Sequence, residues 1–244
     1  AYSGVVVEKM GESGRILVTK GATEEIVKCC TTILKGGKKL PLDAQAEKDI
    51  MAVFDKYSEM GLRMVAVAEK WNVPGTGDFG VKDESDMTLI GFVGFLDPPK
   101  ESAKTALDSL RSHGIRTIVL TGDAPGVAKY VCNKLGLDTG TPLTGADVEA
   151  MDDDQLKKAA ESCSLFTKLN PYQKQRVVRL LQVNGHTVGY MGDGINDAPP
   201  LKQSNVGISV DSAVDIAKEV ADIILLNKDL MVLDQGVMGG RKTF

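Results

Sequence analysis

The sequence predicts an α/β protein in two parts: a smaller α+β domain over residues 1–90 and a larger domain over residues 91–244 built on a parallel sheet with helices on both faces. Three features of the chain predict it. Short apolar runs alternate with helical stretches throughout the second half, the pattern of a parallel sheet covered by helices. The first half opens instead on two strands flanking a glycine-rich turn, followed by helix and strand. At 244 residues the chain exceeds the usual single-domain size, and two modest domains can each bury a core.

Residues 5–9 and 15–20 are the opening hairpin, around the turn residues Gly11 to Gly14. Residues 43–60 have helical spacing through Ile50, Val53, Phe54 and Tyr57, with Asp43 as N-cap and Gly61 as the residue just past the end. Residues 62–68 form the next strand. Between Asn72 and Asp86 the chain turns polar and glycine-rich, as in Pro74-Gly75-Thr76-Gly77-Asp78, so a surface loop and a domain boundary are expected there. Beyond it, strands are expected at residues 115–120, 165–168, 187–191, 206–210 and 223–226. The helix after Asn170 has every local signal in agreement: Asn170 caps it, Pro171 suits its first position, Val177, Leu180 and Leu181 face the core, and Gly185 ends it.

Composition excludes several function classes. A net charge of -4 lacks the basic footprint that phosphate-backbone binding leaves, so no nucleic-acid partner is expected. The four cysteines, Cys29, Cys30, Cys132 and Cys163, have no Cys-x-x-Cys spacing, and His113 and His186 lie far from them, which argues against zinc and for reduced, packed thiols in a cytosolic compartment. No stretch reaches the about 20 apolar residues of a membrane span, and the N-terminus lacks the pattern of a signal peptide. The start runs straight into Val5-Val6-Val7 and the end stops at Lys242-Thr243-Phe244 without a cap, so both ends read as cuts in a longer protein.

In an open parallel sheet, ligands bind beyond the carboxyl ends of the strands. Three such ends carry polar residues: Thr121-Gly122-Asp123, then Asn170-Pro171-Tyr172-Gln173-Lys174, then Gly192-Asp193-Gly194-Ile195-Asn196-Asp197. The last sets two carboxylates and an amide among glycines that let the backbone approach a ligand, and Mg2+ favours one or two carboxylates together with phosphate and water. Read alone, Gly-Asp-Gly is as often a tight acidic turn. Lys174, one turn into a helix whose first N–H groups face the same sheet edge, can hold a phosphate, although most lysines at such positions are solvated. Thr121 and Gly122 offer a hydroxyl and backbone donors to a phosphoryl oxygen.

A hydroxyl turn, a lysine and an acidic glycine turn in that order resemble the later motifs of the haloacid dehalogenase superfamily. Asp97-Pro98-Pro99-Lys100, Thr121-Gly122-Asp123 and the run from Met191 to Pro199 are similar to cytoplasmic motifs of P-type ATPases; Lys20-Gly21-Ala22 resembles that family's nucleotide-domain lysine motif, and Gly61-Leu62-Arg63 its arginine-bearing strand. Residues 95–100, with the run from Ala221 to Leu233, resemble the bacterial magnesium-transporting branch. The resemblance implies a haloacid-dehalogenase-like Rossmannoid phosphorylation domain beside a nucleotide-binding domain, with ATP and Mg2+ as cofactors, at the cytoplasmic face of the membrane. It implies the pump's actuator domain and membrane helices as partners in the parent chain.

The same resemblance implies roles. Lys20, with Gly21, would border the adenosine and Arg63 would meet the phosphate chain. Asp193, with Asp197, would ligate Mg2+; Lys174 would neutralise phosphoryl oxygens; Thr121 and Gly122 would hydrogen-bond them; Asn196 and Asp197 would order the site. Asp97 and Asp123 would act at the ribose or the domain hinge. Asn170 stands where the family usually has threonine, and Ala124 where asparagine or histidine is common. No Asp-Lys-Thr occurs in the sequence, so the family's aspartyl-phosphate loop is absent and the covalent step is not expected of this chain. The alternative is a phosphatase of the dehalogenase superfamily with a cap domain, which requires an early Asp-x-Asp; a non-catalytic nucleotide-sensing module is the second rival.

Overall fold

The computed structural model describes residues 2–8, 14–73, 80–227 and 229–243, which fall into two compact units, Ala1–Asp97 and Pro98–Phe244. Lys9, the turn residues before Gly14 and the loop at residues 74–78 lie outside the described residues. No helix among the described residues is long and apolar enough to cross a membrane.

The first unit holds β1 (Tyr2–Glu8), β2 (Arg15–Gly21), α1 (Thr23–Cys29), β3 (Cys30–Lys35), β4 (Lys38–Pro41), α2 (Ala44–Glu59), β5 (Leu62–Trp71) and β6 (Met87–Leu96). Its strands form one six-stranded sheet, ordered β1-β2-β5-β6-β3-β4. All neighbours are antiparallel except β3 and β6. The β3–β4 hairpin was not expected, although Gly36-Gly37 signals it: both residues have positive φ, 58° and 76°, as a type I′ turn requires. β6 spans residues 90 and 91, with a shift of register against β5 that leaves Ile90 unpaired between Leu89 and Gly91.

Helix α2 starts where the Asp43 side chain accepts from Ala46 N at 2.8 Å, and Gly61 follows its end with φ 87°. Ile50 and Phe54 are buried, whereas Val53 and Tyr57, expected on the same stripe, stay 41% and 39% exposed. The apolar stripe is wider than the surface available to cover it. Beneath the helices, Leu17, Ile26, Ala66, Ala68, Met87 and Leu89 make the core. Because successive strand residues alternate between faces, burial of Ala66 and Ala68 sends Arg63, Val65 and Val67 to the opposite face.

The second unit runs α3 (Glu101–Ser112), β7 (Val119–Leu120), α4 (Pro125–Lys134), β8 (Leu143–Thr144), α5 (Gly145–Ala150), α6 (Asp153–Ser162), β9 (Leu165–Thr167), α7 (Pro171–Val183), β10 (Gly189–Met191), a 3-10 turn (Ile195–Asp197), α8 (Ala198–Gln203), β11 (Val206–Val210), α9 (Asp215–Val220), β12 (Ile223–Leu225) and α10 (Met231–Thr243). Every strand pair is parallel. The strand expected at residues 115–120 is paired only at Val119–Leu120, and the ladder is in two pieces, β7-β9-β8 and β10-β11-β12. Leu120 and Val188 pack against the apolar clusters of both pieces, so their side chains form a continuous seam where the backbone ladder does not.

Neighbours in β9 show which faces are covered. Phe166 packs with Val148, Leu156 and Val177 of α5, α6 and α7, while Leu165 packs with Leu107, Leu110, Ala128 and Cys132 of α3 and α4. Adjacent strand residues point to opposite faces, so helices cover both sides of that sheet. The unit is a mixed α/β layer structure, as expected.

Candidate functional site

The three decorated strand ends of the second unit are laced to one another. After β7, Thr121 N donates to Phe166 O at 2.9 Å, Thr121 O accepts from Leu169 N at 3.0 Å, and Lys168 N donates to Asp123 O at 2.9 Å. The Thr121 hydroxyl accepts from Asp123 N at 3.1 Å, closing the turn on itself around the exposed Gly122 and half-buried Asp123. This turn therefore sits against the segment that leads into α7. There Asn170 Oδ1 accepts from Gln173 N at 2.9 Å and Gln173 Oε1 accepts from Asn170 N at 3.0 Å, a reciprocal cap with Pro171 at the first turn. Asparagine thus caps this helix in full.

One turn further, the buried Lys174 places Nζ 2.8 Å from Asp197 Oδ1. The Tyr190 hydroxyl donates to the same oxygen at 2.8 Å, and Gly194 N donates to Oδ2 at 3.2 Å. Asp197 lies close over Gly192, where a Cβ would stand 2.7 Å from its Cγ, so this position requires glycine. The turn is held from below as well: the buried Ser209 hydroxyl donates to Gly192 O at 2.9 Å, and Val214 N donates to Asp193 O at 3.1 Å. Asp193 and Asn196 are exposed at the rim.

Burial pushes the Asp197 carboxyl up, but the Lys174 hydrogen bond and charge, with the Tyr190 and Gly194 bonds, outweigh it and hold it below the usual carboxylate range. Tyr190 moves the other way. Burial first, then the charge of Asp197 and the bond to it, push its phenol far above its ordinary value, so it stays a hydrogen-bond donor.

The donor set fits a divalent cation and a phosphate. Asp193 offers an exposed carboxylate and Asp197 keeps one acceptor position on Oδ2, which with water and phosphate oxygens meets the preference of Mg2+. Lys174, with one N–H on Asp197, has two more for an anion.

In the first unit, Lys20 of β2 is in register with Val67 of β5, and Arg63 of β5 with Phe95 of β6. Arg63 and Val67 are an even number of residues apart, so both cations stand on the face opposite the helices, separated by about 14 Å along the strand direction at about 3.4 Å per residue. On the same face stand the half-buried Val65 and Val67, with Val93 and Phe95 of β6 46% and 55% exposed. Gly21 ends β2 opposite Ala66, and Asp97 is exposed just past β6.

Tyr190 and Ser209 were not among the expected site residues. The signal for Tyr190 was a phenol two residues before Gly192, but its aim at Asp197 depends on packing among Val178, Leu201 and Ile208.

Residues 2–102 match the family model described as P-type ATPase, cytoplasmic domain N. The chain is 50% identical over 228 residues to the magnesium-transporting ATPase, P-type 1, of Escherichia coli K12, covering 93% of this chain and 25% of the relative. A magnesium-transporting ATPase, P-type 1, of Salmonella typhimurium LT2 is 46% identical over 98% of this chain and 27% of its own length. The endoplasmic reticulum calcium ATPase srcA of Aspergillus fumigatus is 34% identical over 93% of this chain and 25% of its own length. The chain thus spans about a quarter of the length of the curated relatives it matches. Half of all aligned positions preserved across both compact units, together with the family match over the first, places the chain in the P-type ATPase family, with residues 2–102 its cytoplasmic domain N.

Proposed function

We propose that the chain is the ATP-binding and phosphoryl-handling portion of a cation pump, most like magnesium-transporting P-type ATPases, which hydrolyse ATP to move an ion across the membrane. The observation that carries the reading is the Lys174–Asp197 bond, which ties the phosphate-attracting start of α7, reached through the segment that the Thr121 turn is bonded to, to the acidic glycine turn. The first compact unit is the nucleotide-binding domain and the second a phosphorylation domain of haloacid-dehalogenase-like Rossmannoid type, dividing after Asp97 rather than at residue 90, because β6 carries the first unit's sheet through to Leu96. ATP lies on the open sheet face of the first unit, adenosine against Lys20 and the apolar strands and phosphates toward Arg63; the spacing of about 14 Å suits an extended nucleotide.

In the second unit, Lys174 and the Thr121 hydroxyl hold phosphoryl oxygens, while Asp193 with Asp197 would hold Mg2+. When bound, Mg2+ supplies charge neutralisation at the phosphoryl oxygens. Asn196 and Asp197 order the turn, and Asp97 and Asp123 act at the ribose or hinge. The nucleophilic aspartate, the actuator domain and the membrane helices belong to the parent chain, whose cytoplasmic face this portion occupies.

The test is a calorimetric titration of the purified chain with ATP, with and without Mg2+. Lys20→Ala and Arg63→Ala are expected to weaken ATP binding by about tenfold or more each, the worth of one charged contact, with unchanged melting. Unchanged affinity in both variants overturns the nucleotide site. Mg2+-dependent turnover of a simple phosphate ester, abolished by Asp193→Ala, would overturn the pump reading in favour of a phosphatase.

A further inference from the structure

A carboxylate has four acceptor positions, two on each oxygen. On Asp197, Lys174 Nζ and the Tyr190 hydroxyl fill both positions of Oδ1, each at 2.8 Å, and Gly194 N takes one of Oδ2 at 3.2 Å. A single position remains. The phenol that closes Oδ1 is fixed from the core: Tyr190 is 8% exposed, its ring packs with Val178, Leu201 and Ile208, and β10 is registered on β11 through Tyr190 and Gly207. It cannot turn away without breaking that packing. Lys174 already supplies the countercharge to Asp197, so the neutral hydroxyl adds occupancy rather than charge.

We infer that Tyr190 is a positioning and specificity-determining residue for the divalent cation: by occupying Oδ1 it restricts Asp197 to ligation through one oxygen, which suits Mg2+ and handicaps Ca2+. The inference rests on the proposal that Asp193 and Asp197 are cation ligands. Its physical basis is the difference between the two ions. Mg2+ takes six oxygens in a tight octahedron and binds carboxylates through one oxygen, whereas Ca2+ takes six to eight and accepts a carboxylate through both. A carboxylate with one open position cannot offer two oxygens to one ion unless it gives up Tyr190 or Lys174. Removing the Tyr190 hydroxyl leaves one open position on each oxygen, with net charge and ring packing preserved.

The experiment follows the amide signals of Gly192 and Gly194 by NMR while the purified chain is titrated separately with MgCl2 and CaCl2 at constant ionic strength. In Tyr190→Phe the Kd for Ca2+ is expected to fall relative to that for Mg2+ by on the order of fivefold, the worth of one net contact. Thermal unfolding of the same variant checks that it folds. In an Asp197→Asn background the Tyr190→Phe change is expected to leave the Ca2+/Mg2+ ratio unmoved, a coupling that a purely structural tyrosine would not show. Equal ratios in wild-type and Tyr190→Phe chains overturn the role of Tyr190 and leave the cation site standing. Titrations indifferent to Asp193→Asn overturn the cation site, and the role of Tyr190 with it.

Discussion

Lys174 and Asp197, 23 residues apart, form a nearly enclosed ion pair, Nζ to Oδ1 at 2.8 Å with side chains 10% and 14% exposed. One lies on a helix and the other closes an acidic turn, so the pair fixes the position of α7 relative to the end of β10. Removing one member leaves the other charge in a site built for two. Lys174→Ala is therefore expected to destabilise the second unit by up to about 3–5 kcal/mol, and Lys174→Ala with Asp197→Asn by less than Lys174→Ala alone. Urea unfolding measures both.

Gly192→Ala places a methyl group against Asp197, 2.7 Å from its Cγ. The carboxylate must move off the line shared by Lys174 and Tyr190. The expected outcome is weaker Mg2+ and phosphate binding with a loss of about 1–3 kcal/mol of stability, as overpacking costs, read by titration and melting of the same sample.

Helix α10 docks on α3 through a polar clasp. His113 Nδ1 lies 2.9 Å from Asp234 Oδ1, the Ser109 hydroxyl donates to Asp234 Oδ2 at 2.9 Å, and Arg241 donates to His113 O at 2.7 Å. The His113 hydrogen bond, against an opposing effect of burial and with help from Ser109, holds the Asp234 carboxyl below its ordinary 3.8. A depressed carboxyl contributes stability that is present above the unfolded value and is lost as pH falls through the folded one. Protection of the α10 amides, taken relative to the intrinsic exchange rate at each pH, should thus be full above the ordinary carboxylate value and fall as pH drops below it. Asp234→Asn should remove that acid-side step.

Phe166 is fully buried at the centre of β9, against α5, α6 and α7. Phe166→Ala is expected to cost about 3–5 kcal/mol in urea unfolding. Val53→Ala, on an exposed part of α2, is expected to stay within about 0.5 kcal/mol.

Local signals were readable wherever a residue acts on its own neighbours. The Asp43 and Asn170 caps, Pro171 at the start of α7, and Gly61 and Gly185 just past their helices stand as expected, because each satisfies backbone groups within a few residues. Short strands were harder. Residues 115–118 have the composition of a strand but no paired ladder, and β8 is only two residues long, because strand pairing is set by a distant partner.

The sequence by itself determined the mixed α/β class, the strand ends that carry polar residues and the motif order linking the chain to its family, since these depend on residue type, spacing and period. Only the tertiary structure decided that Lys174 and Asp197 share a bond, that Tyr190 completes it, and that Lys20 and Arg63 stand on one sheet face. Those are distances between residues far apart in the chain, and distance is set by packing and register, which no local pattern encodes.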